Sequence, residues 1–173
     1  AIVDAVGGVD LAVDCAIRDL PLIDAEVPAG AVESVEEEGY FVLPVGYYSM
    51  NGAEALWYAR SRHNSSDFDR GRRQQQVLRA VWRKARDTGL LNNVIQLWNE
   101  GSQYVQTNMT LEDVLGLVPL ALSLDPSHIE TFTLARTYHT TPWQPPDGSN
   151  VQLPNYEPMR QLLDDFYTPP TTS

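Results

Sequence analysis

The chain has 173 residues, 43% of them hydrophobic, and a formal net charge of -11. That length encloses the core of one domain, and no run of about 18 apolar residues is present to form a spanning helix. Cys15 is the single cysteine, which excludes an internal disulfide and a cysteine-based zinc site; His63, His128 and His139 are too scattered for a histidine metal site and read as surface or loop residues.

In chain order, residues 1–6 read as the end of a helix stopped by Gly7-Gly8, and Val9 to about Ala16 as a strand. The abrupt apolar start reads as a chain cut in mid-domain. Residues 18–39 read as irregular, with an acidic, solvated loop. YFVLPVGYYSMNG (40–52) predicts a short strand and a turn at Asn51-Gly52, and GAEALWYAR (52–60) a short helix. A helix is predicted from about Asp67 to Asp87, capped by Ser66 or Asp67, with Val77, Leu78, Val81, Trp82 and Ala85 as its buried stripe. Further helices are predicted in LLNNVIQLWNEGSQYV (90–105) and after Thr110, which forms a capping box with Asp113. HIETFTLAR (128–136) alternates like a strand, 138–154 reads as a proline-rich loop, and 155–167 as a terminal helix. Helices interleaved with a few strands predict an α/β class, a layered α/β/α sandwich with a small central sheet.

The charge is unevenly spread. Residues 60–86 hold nine basic and two acidic side chains, and the remainder three basic and 21 acidic. Such a segment in an acidic molecule points to a local anion site rather than to a nucleic-acid surface, which calls for a basic domain. Eleven of the twelve basic residues are arginine, the side chain that grips phosphate or carboxylate with a planar fork of donors. On a helix from Asp67, Arg70, Arg73 and Gln74 stand at i, i+3 and i+4. Arginines in the first two turns oppose the helix dipole, at about 0.3–1 kcal/mol per charge, unless an anion offsets them. Arg60 and Arg62 can return over the same helix end. Two plainer readings stand beside this one. Arg72, Arg79, Arg83 and Arg86 fit a solvated helix face, and Asp67 and Asp69 can simply pair with Arg70 and Arg73.

The succession GGVDLAVD (7–14), then GYYSMNGAEALWYARSR (46–62), then DFDRGRRQQQ (67–76) resembles the LytR-CpsA-Psr family, enzymes that attach anionic glycopolymers to bacterial cell walls. The resemblance is strong over residues 1–85 and looser beyond. It implies that Arg60, Arg62, Asp67, Arg70, Arg73 and Gln74 line a pocket for the pyrophosphate of a polyprenyl-pyrophosphate lipid. The implied activity is a Mg²⁺-assisted phosphotransferase that moves a glycopolymer from its lipid carrier to a peptidoglycan hydroxyl, on the extracytoplasmic face of the cell membrane. Polymer and peptidoglycan are the implied partners. No nucleic acid is expected, and membrane attachment is expected through a segment outside these residues. By the same resemblance, residues 1–168 look like the C-terminal part of one such domain and 169–173 like a frayed tail. The Mg²⁺ ligands and catalytic carboxylates are expected outside this stretch, so residues 1–173 alone are expected to be inactive. An incomplete sheet with an unpaired edge implies a homodimer or a swapped assembly. Two other functions stay open: a non-catalytic wall-polymer or anion-binding module, and a nucleic-acid-binding transcriptional attenuator, the latter disfavoured by a pI near 4.5.

Overall fold

The computed structural model describes residues 2–22, 26–89, 94–102, 106–125 and 129–168. The first helix, α1 (Ile2–Ala5), is closed by N–H groups of Gly7 and Gly8 donating to the Asp4 and Val3 carbonyls, each at 2.9 Å. Gly8 has φ 89°, and a Cβ there would stand 3.2 Å from the Met50 carbonyl oxygen, so glycine lets the chain turn against its neighbouring strand. Strand β1 (Val9–Val13) buries Val9, Leu11 and Val13 and turns Asp10 and Ala12 outward, the period-two pattern of a half-buried strand. It ends at Val13 rather than near Ala16, and a new strand, β2 (Ile17–Asp19), follows.

Strands β3 (Val32–Glu33), β4 (Phe41–Leu43) and β5 (Gly46–Met50) complete the N-terminal half. Strand β5 pairs antiparallel with β1, Val9 opposite Met50 and Val13 opposite Gly46, while β4 lies between β2 and β3. The stretch 18–39 therefore contributes two short strands, hard to read in sequence because β3 is two exposed residues long. Among the described residues, the strands of the expected small central sheet are distributed among three small antiparallel sheets.

Asn51-Gly52 is not a turn but the start of α2 (Gly52–Arg60). The Asn51 side chain accepts the N–H groups of Ala53 and Glu54, and Glu54 accepts the Asn51 N–H at 2.8 Å. This capping box satisfies donors that a hairpin turn would leave free. The other Glu54 oxygen accepts the Ala29 N–H at 2.7 Å, which explains a buried carboxylate in the core wall.

Helix α3 (Asp67–Asp87) has the expected bounds. Its inward stripe is Arg73, Val77, Ala80, Val81 and Ala85, whereas Leu78 is 63% exposed and lies off it. Helices α4 (Val94–Gly101) and α5 (Leu111–Ser123) follow, the latter with the Thr110–Asp113 capping box. Residues 129–135 join no strand ladder; they lead into a helical turn, α6 (Arg136–His139), and His128 lies outside the described residues. The proline-rich segment is a hairpin, β6 (Thr140–Trp143) with β7 (Val151–Pro154). Its prolines are tolerated because a two-stranded ribbon has outer edges that need no ladder donor. Helix α7 (Tyr156–Tyr167) ends the described chain, and residues 169–173 lie outside it. The core gathers Leu43, Met50, Trp57 and Tyr58, all at most 1% exposed, between β1, β5, α2 and α3.

Candidate anion site

The arginine segment is the junction between α2 and α3. Ser66 caps α3: its hydroxyl accepts the Asp69 N–H at 3.2 Å, and Asp69 accepts the Ser66 N–H at 2.9 Å. The Ser66 hydroxyl also donates to the Asp69 carboxylate at 2.6 Å, and this bond, with that from the Ser66 N–H, holds the Asp69 carboxyl below the usual aspartate range. Asp69 is thus occupied with the cap and does not pair with Arg73. The free N–H groups of the first turn and the helix dipole make this end favourable for an anion.

Asp67, at the first helical position, has one oxygen, Oδ1, 3.1 Å from Arg62 Nε and 3.2 Å from an Arg70 terminal nitrogen. The structure therefore brings Arg62, Asp67 and Arg70 together, all solvent-accessible. Gln74 is exposed, one turn beyond Arg70 on the same face. Arg60 is exposed in the last turn of α2.

Arg73 is placed differently. It is 1% exposed and turned into the core. Its Nε donates to the Tyr58 carbonyl at 3.0 Å, one terminal nitrogen donates to the Ser61 carbonyl and, at 3.0 Å, to the Ser65 hydroxyl, and the guanidinium carbon lies 5.9 Å from the Tyr58 ring centroid. Burial pushes the guanidinium below its usual value, and the carbonyls compensate the buried charge. The sequence signal was available: Arg73 stands one turn before Val77 on the buried stripe. Arg72 faces another way and forms a two-point ion pair with Asp14, the second contact at 3.2 Å, which holds Asp14 low.

Three residues fix the junction and gave no signal in the sequence, because their partners are far along the chain. Asp19 accepts the N–H of Arg62 at 2.6 Å and of His63 at 3.4 Å. Asn64 accepts the Arg18 N–H at 3.0 Å and donates to the Ala16 carbonyl at 3.0 Å. Glu37 receives His63 at 2.7 Å while the His63 ring packs on Tyr40 at 4.3 Å between centroids. Beside the junction lies an open cavity of about 540 Å³, lined by His63, Ser66, Phe68 and Arg136 among others.

No group of three or more His, Cys, Asp or Glu among the described residues could hold a metal ion. The nearest carboxylates do not fit Mg²⁺, since Asp67 bridges two arginines and Asp69 closes the cap. The junction offers an anion guanidinium forks and helix N–H groups instead.

The described residues form a mixed α/β fold of small sheets and helices, with an arginine cluster at the N-terminus of α3. The model of the LytR_cpsA_psr family matches residues 1–164, and the chain belongs to that family. It is 34% identical over 89 residues to the polyisoprenyl-teichoic acid–peptidoglycan teichoic acid transferase TagT of Bacillus subtilis, covering 51% of this chain and 28% of that protein. To TagV, a transferase of the same description from the same organism, it is 27% identical over 168 residues, covering 91% of this chain and 42% of TagV. The chain thus spans less than half the length of these curated relatives. The crystal structure of B. subtilis TagV superimposes with TM-score 0.63 at 22% identity, covering 97% of this chain and 60% of that one. TagT bound to LIIa-WTA superimposes with TM-score 0.58 at 22% identity, covering 95% and 54%. At these identities the structural likeness speaks for the fold.

Proposed function

We propose that this chain supplies the pyrophosphate-binding half of a glycopolymer phosphotransferase acting at the bacterial cell envelope. The observation that carries the reading is the shared oxygen of Asp67, which two guanidinium groups approach at 3.1 and 3.2 Å beside a helix N-terminus. That carboxylate oxygen stands where an incoming phosphate oxygen would be gripped. An anion with more charge than one carboxylate, such as a pyrophosphate, displaces it and takes both forks. As the acceptor hydroxyl attacks and the P–O–P bridge breaks, the polymer keeps one phosphate and polyprenyl phosphate departs; guanidinium groups already in place stabilise the charge that builds on this leaving group without reorganising. Gln74, one turn beyond Arg70 on the same helix face, adds an amide at the margin of the pair, while Arg60 is exposed in the last turn of α2.

The teichoic acid transferase descriptions of TagT and TagV support a lipid-linked anionic polymer as donor and peptidoglycan as acceptor. Helix α5 supports an apolar carrier: Leu115, Leu117, Leu120 and Leu122 are 42–57% exposed, while its half-buried stripe is Leu111, Val114, Val118 and Ala121. No helix among the described residues is long and apolar enough to cross a membrane. An extracytoplasmic position follows from the proposed substrates. Residues 1–173 offer the arginine side of the reacting group and no Mg²⁺ ligand set among those described, so binding without turnover is proposed for them. Assaying this chain and its full reading frame with a short-chain polyprenyl-pyrophosphate-linked glycopolymer, with and without Mg²⁺, tests the reading. Transfer by the full protein that is lost in Arg70→Ala supports it. A full protein that binds polymer but never releases polyprenyl phosphate would make it a binding module.

A further inference from the structure

We propose that Arg73 and Asp19 are positioning residues for the anion site, gripping one peptide plane from opposite sides so that Arg62 is aimed before any ligand arrives. The inference rests on the pyrophosphate reading of Arg62 and Arg70. The carbonyl of Ser61 and the N–H of Arg62 belong to the same peptide unit, which is planar and rigid. Arg73 donates to its oxygen, and Asp19 accepts its N–H at 2.6 Å. With both polar ends held by charged groups, that plane cannot rotate without breaking two charge-assisted hydrogen bonds. It is the last unit before the Arg62 side chain leaves the main chain.

The same guanidinium ties this plane to its surroundings. Tyr58 lies in the last turn of α2, where carbonyls lack helical donors, and Arg73 Nε fills that of Tyr58 at 3.0 Å. Its other contact, the Ser65 hydroxyl at 3.0 Å, sits one residue before the Ser66 cap of α3. One side chain therefore joins the end of α2, the plane before Arg62 and the start of α3, which carries Asp67 and Arg70. At 1% exposure, with Nε and one terminal nitrogen donating to main-chain and hydroxyl oxygens, Arg73 does not reach an anion in solvent. Lysine cannot replace it, because one ammonium cannot span three acceptors laid out for a fork. Asp19 accepts the Leu20 N–H with its second oxygen at 2.8 Å, so its own orientation is fixed within β2 and its exit.

A double-mutant cycle on inorganic pyrophosphate binding to the 173-residue chain tests the assignment. Arg73→Lys is expected to weaken affinity about tenfold in the native background and less than twofold in Arg62→Ala, because the plane it holds then aims nothing. In Arg70→Ala the full loss is expected to persist. Asp19→Ala, which removes the opposite grip, is expected to follow the same pattern and serves if Arg73→Lys does not melt cooperatively. Hydrogen exchange without ligand supplies an independent readout: the Arg62 amide exchanges faster in both variants. Equal losses with and without Arg62, or unchanged Arg62 exchange, would overturn the positioning role alone. Absence of pyrophosphate binding by the native chain would overturn the anion reading, and the positioning role with it.

Discussion

Arg72 reaches 58 residues back along the chain to Asp14, meeting both carboxylate oxygens with its two terminal nitrogens. The pair ties α3 to the exit of β1 and takes Arg72 out of the candidate anion site, although it lies between Arg70 and Arg73 in sequence.

Arg72→Ala should therefore leave pyrophosphate affinity within twofold. The pair is partly solvated, with 31% and 52% of the two side chains exposed, so its loss should cost no more than about 1 kcal/mol. The Asp14 carboxyl, now held low by the Arg72 hydrogen bond, should rise toward the ordinary aspartate range. Carboxyl chemical shifts followed through an acid titration read this directly. An Asp14 that titrates unchanged in the variant would mean the pair is not formed.

Arg73→Met should destabilise the fold markedly. It leaves the buried carbonyls of Tyr58 and Ser61 without their donor, a loss of about 2–3 kcal/mol. The urea midpoint should fall with the slope unchanged. A variant as stable as the parent would show that these carbonyls find other partners.

Ser66→Ala removes the hydroxyl that caps α3 and should cost about 0.5–2 kcal/mol at neutral pH. The Asp69 carboxyl is depressed in the folded state by its bonds to Ser66. A depressed folded value means that Asp69 contributes its full stability above the unfolded value of about 3.9. That contribution fades as pH falls through the lower folded value. The gap between Ser66→Ala and the parent should thus be constant near neutrality and narrow in acid. A gap that stays constant to about pH 2 would separate the cap from Asp69.

The helices and their caps were legible because their signals are local. Ser66 as a cap, Thr110 with Asp113, and the spacing of Val77, Val81 and Ala85 all act within one or two turns, whereas the part of Asp69 in the Ser66 cap was not read. Asn51-Gly52 misled because one dipeptide serves a hairpin turn or a cap, and Glu54 three residues on decides for the cap. The β6–β7 hairpin was hidden by its prolines, and the alternation of 129–135 by itself does not supply a partner strand. In the arginine segment, residue types and the helix end were readable. The division of labour was not: Asp67 joining Arg62 to Arg70, and Arg73 turned inward, depend on contacts with Tyr58, Ser61 and Ser65 across the α2–α3 turn.

Trp57 is fully buried, and its indole N–H donates to the Leu20 carbonyl at 2.8 Å. Trp57→Phe should lose that bond and leave a void, costing about 2–4 kcal/mol. Because Leu20 follows Asp19, the Arg62 amide should also lose part of its exchange protection. Full protection in a destabilised variant would show that Asp19 is held independently of Trp57.

The central claim is that Arg62 and Arg70 grip a pyrophosphate at the start of α3. Calorimetric titration of a short-chain polyprenyl pyrophosphate into the 173-residue chain tests it most directly. Binding should weaken as salt is raised, because exposed charges are screened. Affinity should fall tenfold or more, about 1.4 kcal/mol, in Arg62→Ala and in Arg70→Ala, and should not fall in Asp67→Asn, where the competing carboxylate charge is removed. Binding of equal strength in folded Arg62→Ala and Arg70→Ala variants, or no binding by the native chain at low salt, would contradict the claim.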